Sequence, residues 1–137
     1  MRVTELPPHL FADAVDLWHE AGLTRPWNDA DEDLLRAIGG SASTVLACLD
    51  RERLLGTAMV GHDGHRGWLY YVAVRQTERG RGLGRLLVQT CEDWLAARGV
   101  PKVQLMIREG NTSAVAFYER LGYERSAVTV VGRRLDS

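Results

Sequence analysis

Val72-Ala73-Val74-Arg75-Gln76-Thr77-Glu78-Arg79-Gly80-Arg81-Gly82-Leu83-Gly84 is the stretch whose reading decides the fold. An apolar, β-branched strand runs into a loop with glycine at three alternate positions, and an amphipathic helix follows at once. That order leaves backbone N–H groups of the loop and first helical turn aimed at one spot, where the helix dipole is also positive. Such a spot binds phosphate. The glycines let the backbone approach the anion, and Arg79 and Arg81 add charge-assisted donors.

Spacing excludes two familiar phosphate loops. A Walker A loop needs Lys and then Ser or Thr after its last glycine, whereas Gly84 is followed by Arg85 and Leu86. A dinucleotide fingerprint needs G-x-G-x-x-G; Gly80 and Gly82 fit, but the third position falls on Arg85. The remaining Arg-Gly-Arg-Gly-Leu-Gly resembles the R/Q-x-x-G-x-G pattern of the GNAT acetyltransferases through Arg79, Gly82 and Gly84. In that family the loop cradles the pyrophosphate of acetyl-CoA. A strand-to-helix turn that uses glycine only for packing is the competing reading of the loop alone.

Downstream the chain reads Asn111-Thr112-Ser113-Ala114-Val115-Ala116-Phe117-Tyr118-Glu119-Arg120-Leu121-Gly122-Tyr123. This is similar to the second GNAT signature, N-x-x-A-x-x-F/L-Y-x-x-x-G-F/Y, at Asn111, Ala114, Phe117, Tyr118, Gly122 and Tyr123. It stands 27 residues beyond Gly84, with a helix and a strand between. Two motifs in the right order extend the resemblance over the whole chain. Residues 25–29 and 63–67 further resemble the YpeA-like branch of small bacterial GNAT proteins.

Composition agrees with one domain, residues 1–137, long enough to bury a substantial core. The formal net charge of −1 implies no broad polyanion-binding surface, which argues against a nucleic-acid partner. Sixteen of the seventeen basic residues are Arg, read as compositional habit. The start, Met-Arg-Val-Thr-Glu-Leu-Pro-Pro, has no apolar leader, and no apolar run reaches membrane-spanning length; a cytoplasmic protein is expected. Cys48 and Cys91 lie alone in apolar settings and read as reduced core residues. The four histidines form no metal pattern with them, so no metal is expected.

Hydrophobic periodicity supplies the rest. Strands are expected at Val3–Leu6, Thr44–Leu49, Leu54–Val60, Trp68–Val74, Val103–Ile107 and Val128–Val131. A first helix carries Leu10, Phe11, Ala14, Val15 and Trp18, and a second carries Leu34, Leu35 and Ile38 after an Asn28 or Asp29 cap. The helix after the glycine loop shows a stripe of Leu83, Leu87, Cys91 and Trp94. The fold class is α/β. By the resemblance it is a single-domain GNAT fold with a mixed, mostly antiparallel sheet, a splayed parallel strand pair and four flanking helices.

The resemblance implies an acetyl-CoA-dependent N-acetyltransferase that passes acetyl directly to a primary amine. The pantetheine arm would fill the gap between Trp68–Val74 and Val103–Ile107, bonded to backbone groups of Val72 and Val74. The pyrophosphate would lie on Arg79, Gly80, Arg81, Gly82, Leu83 and Gly84. Tyr118 matches the tyrosine that faces the thioester sulfur, and a phenol with an ordinary pKa of about 10 can protonate a leaving thiolate. Asn111 bonds near the pantetheine or caps its helix, two equally good readings.

No residue declares itself as the base. Some relatives carry Glu where this chain has Met106; others use Glu or His on the fourth strand, where Trp68 and Tyr70 stand. Proton removal through ordered water is therefore expected, with Glu109 ending the chain or standing as a solvated loop charge. For the acceptor, Trp27 beside Asn28, Asp29, Asp31, Glu32 and Asp33 suits a cationic amine. A solvated helix start explains the acids equally well. His62, Asp63, His65 and Arg66 read first as turn chemistry. A non-catalytic acyl-CoA-binding sensor is the alternative from another class, and a monomer or homodimer the expected state.

Overall fold

The computed structural model describes residues 1–136, and the chain divides into a large unit, Met1–Met106, and a smaller one that begins at Ile107. The large unit carries strands β1 (Arg2–Glu5), β2 (Ser43–Asp50), β3 (Arg53–His62), β4 (Gly67–Val74) and β5 (Val103–Gln104). They form one sheet in the order β1-β2-β3-β4-β5; β4 and β5 are parallel and every other pair is antiparallel. Helices α1 (Phe11–Glu20), α2 (Ala30–Gly39) and α3 (Leu83–Ala96) belong to this unit, and α4 (Thr112–Arg120) to the smaller one. The expected class is observed: a mixed sheet with one parallel pair, and four helices.

Strand alternation sorts the side chains onto two faces. Val45, Ala47 and Leu49 join a core with Ala14, Leu17 and Trp18 of α1 and Leu34 and Ala37 of α2. The opposite face meets α3, which comes down closely where two strands carry glycine. A Cβ on Gly56 would lie 3.0 Å from Leu87 Cδ1 and 2.8 Å from the Ala73 carbonyl; one on Gly67 would lie 2.5 Å from Leu95 Cδ1. The helix stripe is therefore Leu83, Leu87, Val88, Cys91 and Leu95. Trp94, expected in that stripe, turns to the flank, where the Arg98 guanidinium lies 3.6 Å from its ring centroid. Leu35, read as a core position of α2, is likewise 58% exposed.

β4 contains the irregularity that shapes the molecule. Gly56 pairs with Val74 and Thr57 with Ala73, but Met59 pairs with Tyr70, so Ala58 opposes both Tyr71 and Val72. Tyr71 sits in the left-handed region at φ 50°, a conformation that costs a bulky residue roughly 1–3 kcal/mol. Three contacts hold it there. Trp18 Nε1 donates to Thr57 Oγ1 at 2.8 Å, and that hydroxyl donates to the Tyr71 carbonyl at 3.0 Å. The Tyr71 ring stacks on Trp18 with centroids 4.0 Å apart, and its hydroxyl donates to Asp33 Oδ2 at 2.8 Å.

A bulge bends its strand and increases the local twist. The β4–β5 ladder comprises only Gly67–Val103 and Trp68–Gln104, ending before the bulge. β5 accordingly stops at Gln104 instead of reaching the expected Ile107, because β4 has turned away. The expected last strand, Val128–Val131, is not formed. Val128, Val130 and Val131 are 74%, 64% and 88% exposed, and no ladder includes them. β-branched composition makes a strand only where an edge is there to pair it.

Thr57→Val tests the bulge support. It strips Trp18 Nε1 of its acceptor and the Tyr71 carbonyl of its donor, so stability in urea unfolding should fall by about 2–4 kcal/mol. Thr57→Ser keeps the hydroxyl and should cost well under half as much; equal losses would contradict the assigned role.

Candidate functional site

The loop after β4 is built by local bonds. Arg75 anchors its start: the backbone N–H donates to the Leu55 carbonyl at 2.9 Å, Nε to the Leu54 carbonyl at 2.7 Å, and Nη1 lies 3.5 Å from Glu20 Oε2. A single 3-10 turn, Gln76–Glu78, follows. Gly80 and Gly82 then take φ values of 82° and 78°, which only glycine adopts without strain. Gly82 is the N-cap of α3, and the first helical bond runs from Leu86 N to the Gly82 carbonyl at 3.0 Å. Among the described residues, the N–H groups of Gly80, Arg81, Gly82, Leu83, Gly84 and Arg85 have no backbone acceptor. They cluster at the positive end of a fourteen-residue helix.

The two arginines read as phosphate donors differ in their ties. Arg79 is exposed and has no ion pair among the described residues. Arg81 Nη1 instead closes back on Glu78 Oε1, and Arg53 Nη2 lies 3.5 Å from Glu78 Oε2. Glu78, which the sequence reading passed over, is the buried carboxylate of the loop. A cavity of about 680 Å³ opens between α1 and this segment, with Asp13, Leu17 and Glu20 on one side and Val74, Thr77 and Arg79 on the other.

Beyond the bulge, Val72 and Val74 continue β4 with no ladder to β5. The acceptor-side residues are less concentrated than the sequence suggested. Trp27 is 58% exposed. Asn28 N donates to the Arg25 carbonyl at 3.0 Å, and Asp29 uses its carboxylate as the α2 cap, accepting from Glu32 N at 3.1 Å. Asp33, four residues on, is the acid that reaches the bulge through Tyr71. Residues 11–39 nonetheless hold seven acids against two arginines, an excess of five negative charges. In the hairpin turn, Asp63 Oδ1 accepts from His65 N and Arg66 N, both at 2.8 Å. Those two bonds hold its carboxyl below the usual range.

In the smaller unit, Asn111 Oδ1 caps α4, accepting from Ala114 N at 3.2 Å. Tyr118 is buried and meets Phe117 and Tyr123 edge-on, with centroids 4.9 and 5.4 Å away. Glu109 is exposed. Among the described residues no cluster of His, Cys, Asp and Glu could hold a metal ion, and no helix is long and apolar enough to cross a membrane.

A glycine-bent loop with unbonded N–H groups, a bulged strand and a parallel ladder of two residue pairs meet in one α/β fold. Residues 12–123 match the Acetyltransferase (GNAT) family, and the chain belongs to it. Solved structures share the fold. A protein of Agrobacterium tumefaciens str. C58 assigned to the acetyltransferases superposes with a TM-score of 0.84 at 17% identity, covering 98% of this chain and 100% of its own. AAC(6')-Iy, in complex with the bisubstrate analog CoA-S-monomethyl-acetylneamine, gives 0.81 at 14% identity, covering 98% and 97%. The aminoglycoside antibiotic 6'-N-acetyltransferase AAC(6')-IG from Acinetobacter haemolyticus gives 0.79 at 14%, covering 99% and 100%.

Tyr71 also makes a pH prediction. Burial pushes its hydroxyl above the ordinary range, and the Asp33 hydrogen bond and charge push the same way. The folded state keeps a proton that the unfolded chain loses near pH 10, so this stability is present below about pH 10 and lost as pH rises toward the folded value. Chemical unfolding followed from pH 8 to 11 should show a shallower alkaline decline in Tyr71→Phe than in the wild type. An equally steep decline would contradict the shift.

Proposed function

We propose that the protein is an acetyl-CoA-dependent N-acetyltransferase that moves acetyl directly to a primary amine. The observation that carries this reading is the conjunction on β4: a bulge at Tyr71, strand after it that pairs with β3 but not with β5, and N–H groups without backbone acceptors at the head of α3. The pantetheine supplies the missing strand along Val72 and Val74. The pyrophosphate takes the N–H groups of Gly80, Arg81, Gly82, Leu83 and Gly84, with Arg79 as cation. Binding spread along this path holds the thioester in register beside the bulge, where a backbone N–H can polarise its carbonyl.

The amine attacks that carbonyl after losing a proton, and the thiolate departs with a proton from Tyr118. Asn111, which caps α4, keeps the donor-side role that its motif implies. Cys91 is fully buried, its thiol pushed up to about 12 mainly by burial, with Glu92 adding to it. Cys48 shifts upward for the same reason. Neither is placed to carry an acetyl group, which supports direct transfer. Burial also moves the Tyr70 hydroxyl upward, the wrong direction for a base at neutral pH. Water leading toward Glu109 remains our route for the proton, and the acid-rich segment of residues 11–39 favours a cationic acceptor near Trp27, Asn28 and Asp29.

Thiol release from acetyl-CoA over an amine panel tests this. The wild type should turn over at least one amine, and Tyr118→Phe should lower kcat by about 10²-fold or more while leaving CoA affinity nearly intact. Tight CoA binding without turnover on any amine would favour the acyl-CoA sensor instead.

A further inference from the structure

Glu78 is the one charged residue among the buried described residues, the other buried polar side chains being Thr44 and Thr57. A carboxylate in that position needs partners, since burial removes the water that would solvate it. Arg81 supplies one and Arg53 the other, on separate carboxylate oxygens. Arg81 lies three residues on, so its side chain folds back across the turn containing Gly80. Arg53 begins β3. The carboxylate thus ties the glycine loop to itself and to the sheet. Gly80 and Gly82 make this loop costly to order, because glycine loses more conformational freedom on fixing than any other residue.

We propose that Glu78 is a positioning residue for the donor: it keeps Arg81 as a strut within the loop and leaves Arg79 as the cation that meets the phosphates. This rests on the donor reading above. Were Arg81 to swing to a phosphate, Glu78 would keep only the 3.5 Å contact with Arg53, whose side chain is 55% exposed. A buried carboxylate left so weakly paired loses more than a solvent-exposed arginine gains on a phosphate. Arg79 has no such tie, and it lines the cavity beside the loop. The strut shapes the N–H cradle before the donor arrives, so less ordering entropy is lost on binding.

Calorimetric titration of the full chain with CoA, at low and high salt, tests this in Glu78→Gln, Arg81→Gln, the double variant and Arg79→Gln. Glu78→Gln and Arg81→Gln should each weaken CoA about five- to tenfold, and the double variant should be no worse than the weaker single. In Glu78→Gln the loss should fall on KM for acetyl-CoA more than on kcat. Arg79→Gln should weaken CoA and flatten the salt dependence, which both strut variants should retain. Additive losses, a flattened salt dependence in Arg81→Gln, or tighter binding by Glu78→Gln would each overturn the proposal.

Hydrogen exchange without CoA gives an independent reading. The amides of Arg79 and Leu86, which bond to the Gln76 and Gly82 carbonyls on either side of the glycine turn, should exchange faster in Glu78→Gln while those of β2 and β3 stay protected; unchanged exchange at both would also overturn it. If the wild type binds no CoA, the donor reading fails, and exchange still decides whether the strut exists.

Discussion

The hydrogen-bond chain from Trp18 Nε1 through the Thr57 hydroxyl to the Tyr71 carbonyl is the constraint on which the rest depends. It joins α1, β3 and β4 at the point where β4 changes register. Holding Tyr71 left-handed costs roughly 1–3 kcal/mol. Two hydrogen bonds, one buried and one partly buried, at about 1 kcal/mol each, with a stacked aromatic pair worth about 0.5–1.5 kcal/mol, offset that strain. The register shift bends β4, the ladder to β5 ends, and backbone that a regular sheet would consume stays free. Core packing and the proposed ligand site thus meet at one bulge.

Electrostatics divides the large unit in a complementary way. The head of α3 gathers unpaired N–H groups and Arg79 on the donor side, whereas residues 11–39 carry an excess of acids. An anionic donor and a cationic acceptor would each meet the opposite sign. Arg75 and Glu20 bridge the boundary at 3.5 Å, and the cavity lies beside them. Within the loop, Glu78 lowers the local positive charge yet fixes its shape, so the cradle relies on oriented N–H groups more than on side-chain charge.

How much of this could be read from the sequence depends on how local each feature is. Gly80 and Gly82 announce their left-handed conformations because no other residue takes them cheaply, and Asn111 and Asp29 announce helix caps by residue type. The succession of elements along the chain followed from periodicity, and the parallel strand pair from the resemblance carried by two motifs. The bulge was invisible: Tyr71 is not a glycine, and its supports Trp18 and Thr57 are 39 residues apart. Glu78 drew no reading because only the fold buries it, and Trp94 read as core because a four-residue step suits Leu95 equally well. At Val128–Val131, composition suggested a strand where no edge pairs it.

The central claim is that a CoA thioester lies along β4 past the bulge and onto the loop. Amide chemical-shift mapping with ¹⁵N-labelled protein tests it most directly. Adding acetyl-CoA should move the N–H signals of Val72, Val74 and Gly80 through Gly84, leaving those of β1 and β2 in place. Saturable binding whose shifts fall elsewhere, or an absence of any shift in residues 72–84, would contradict the account.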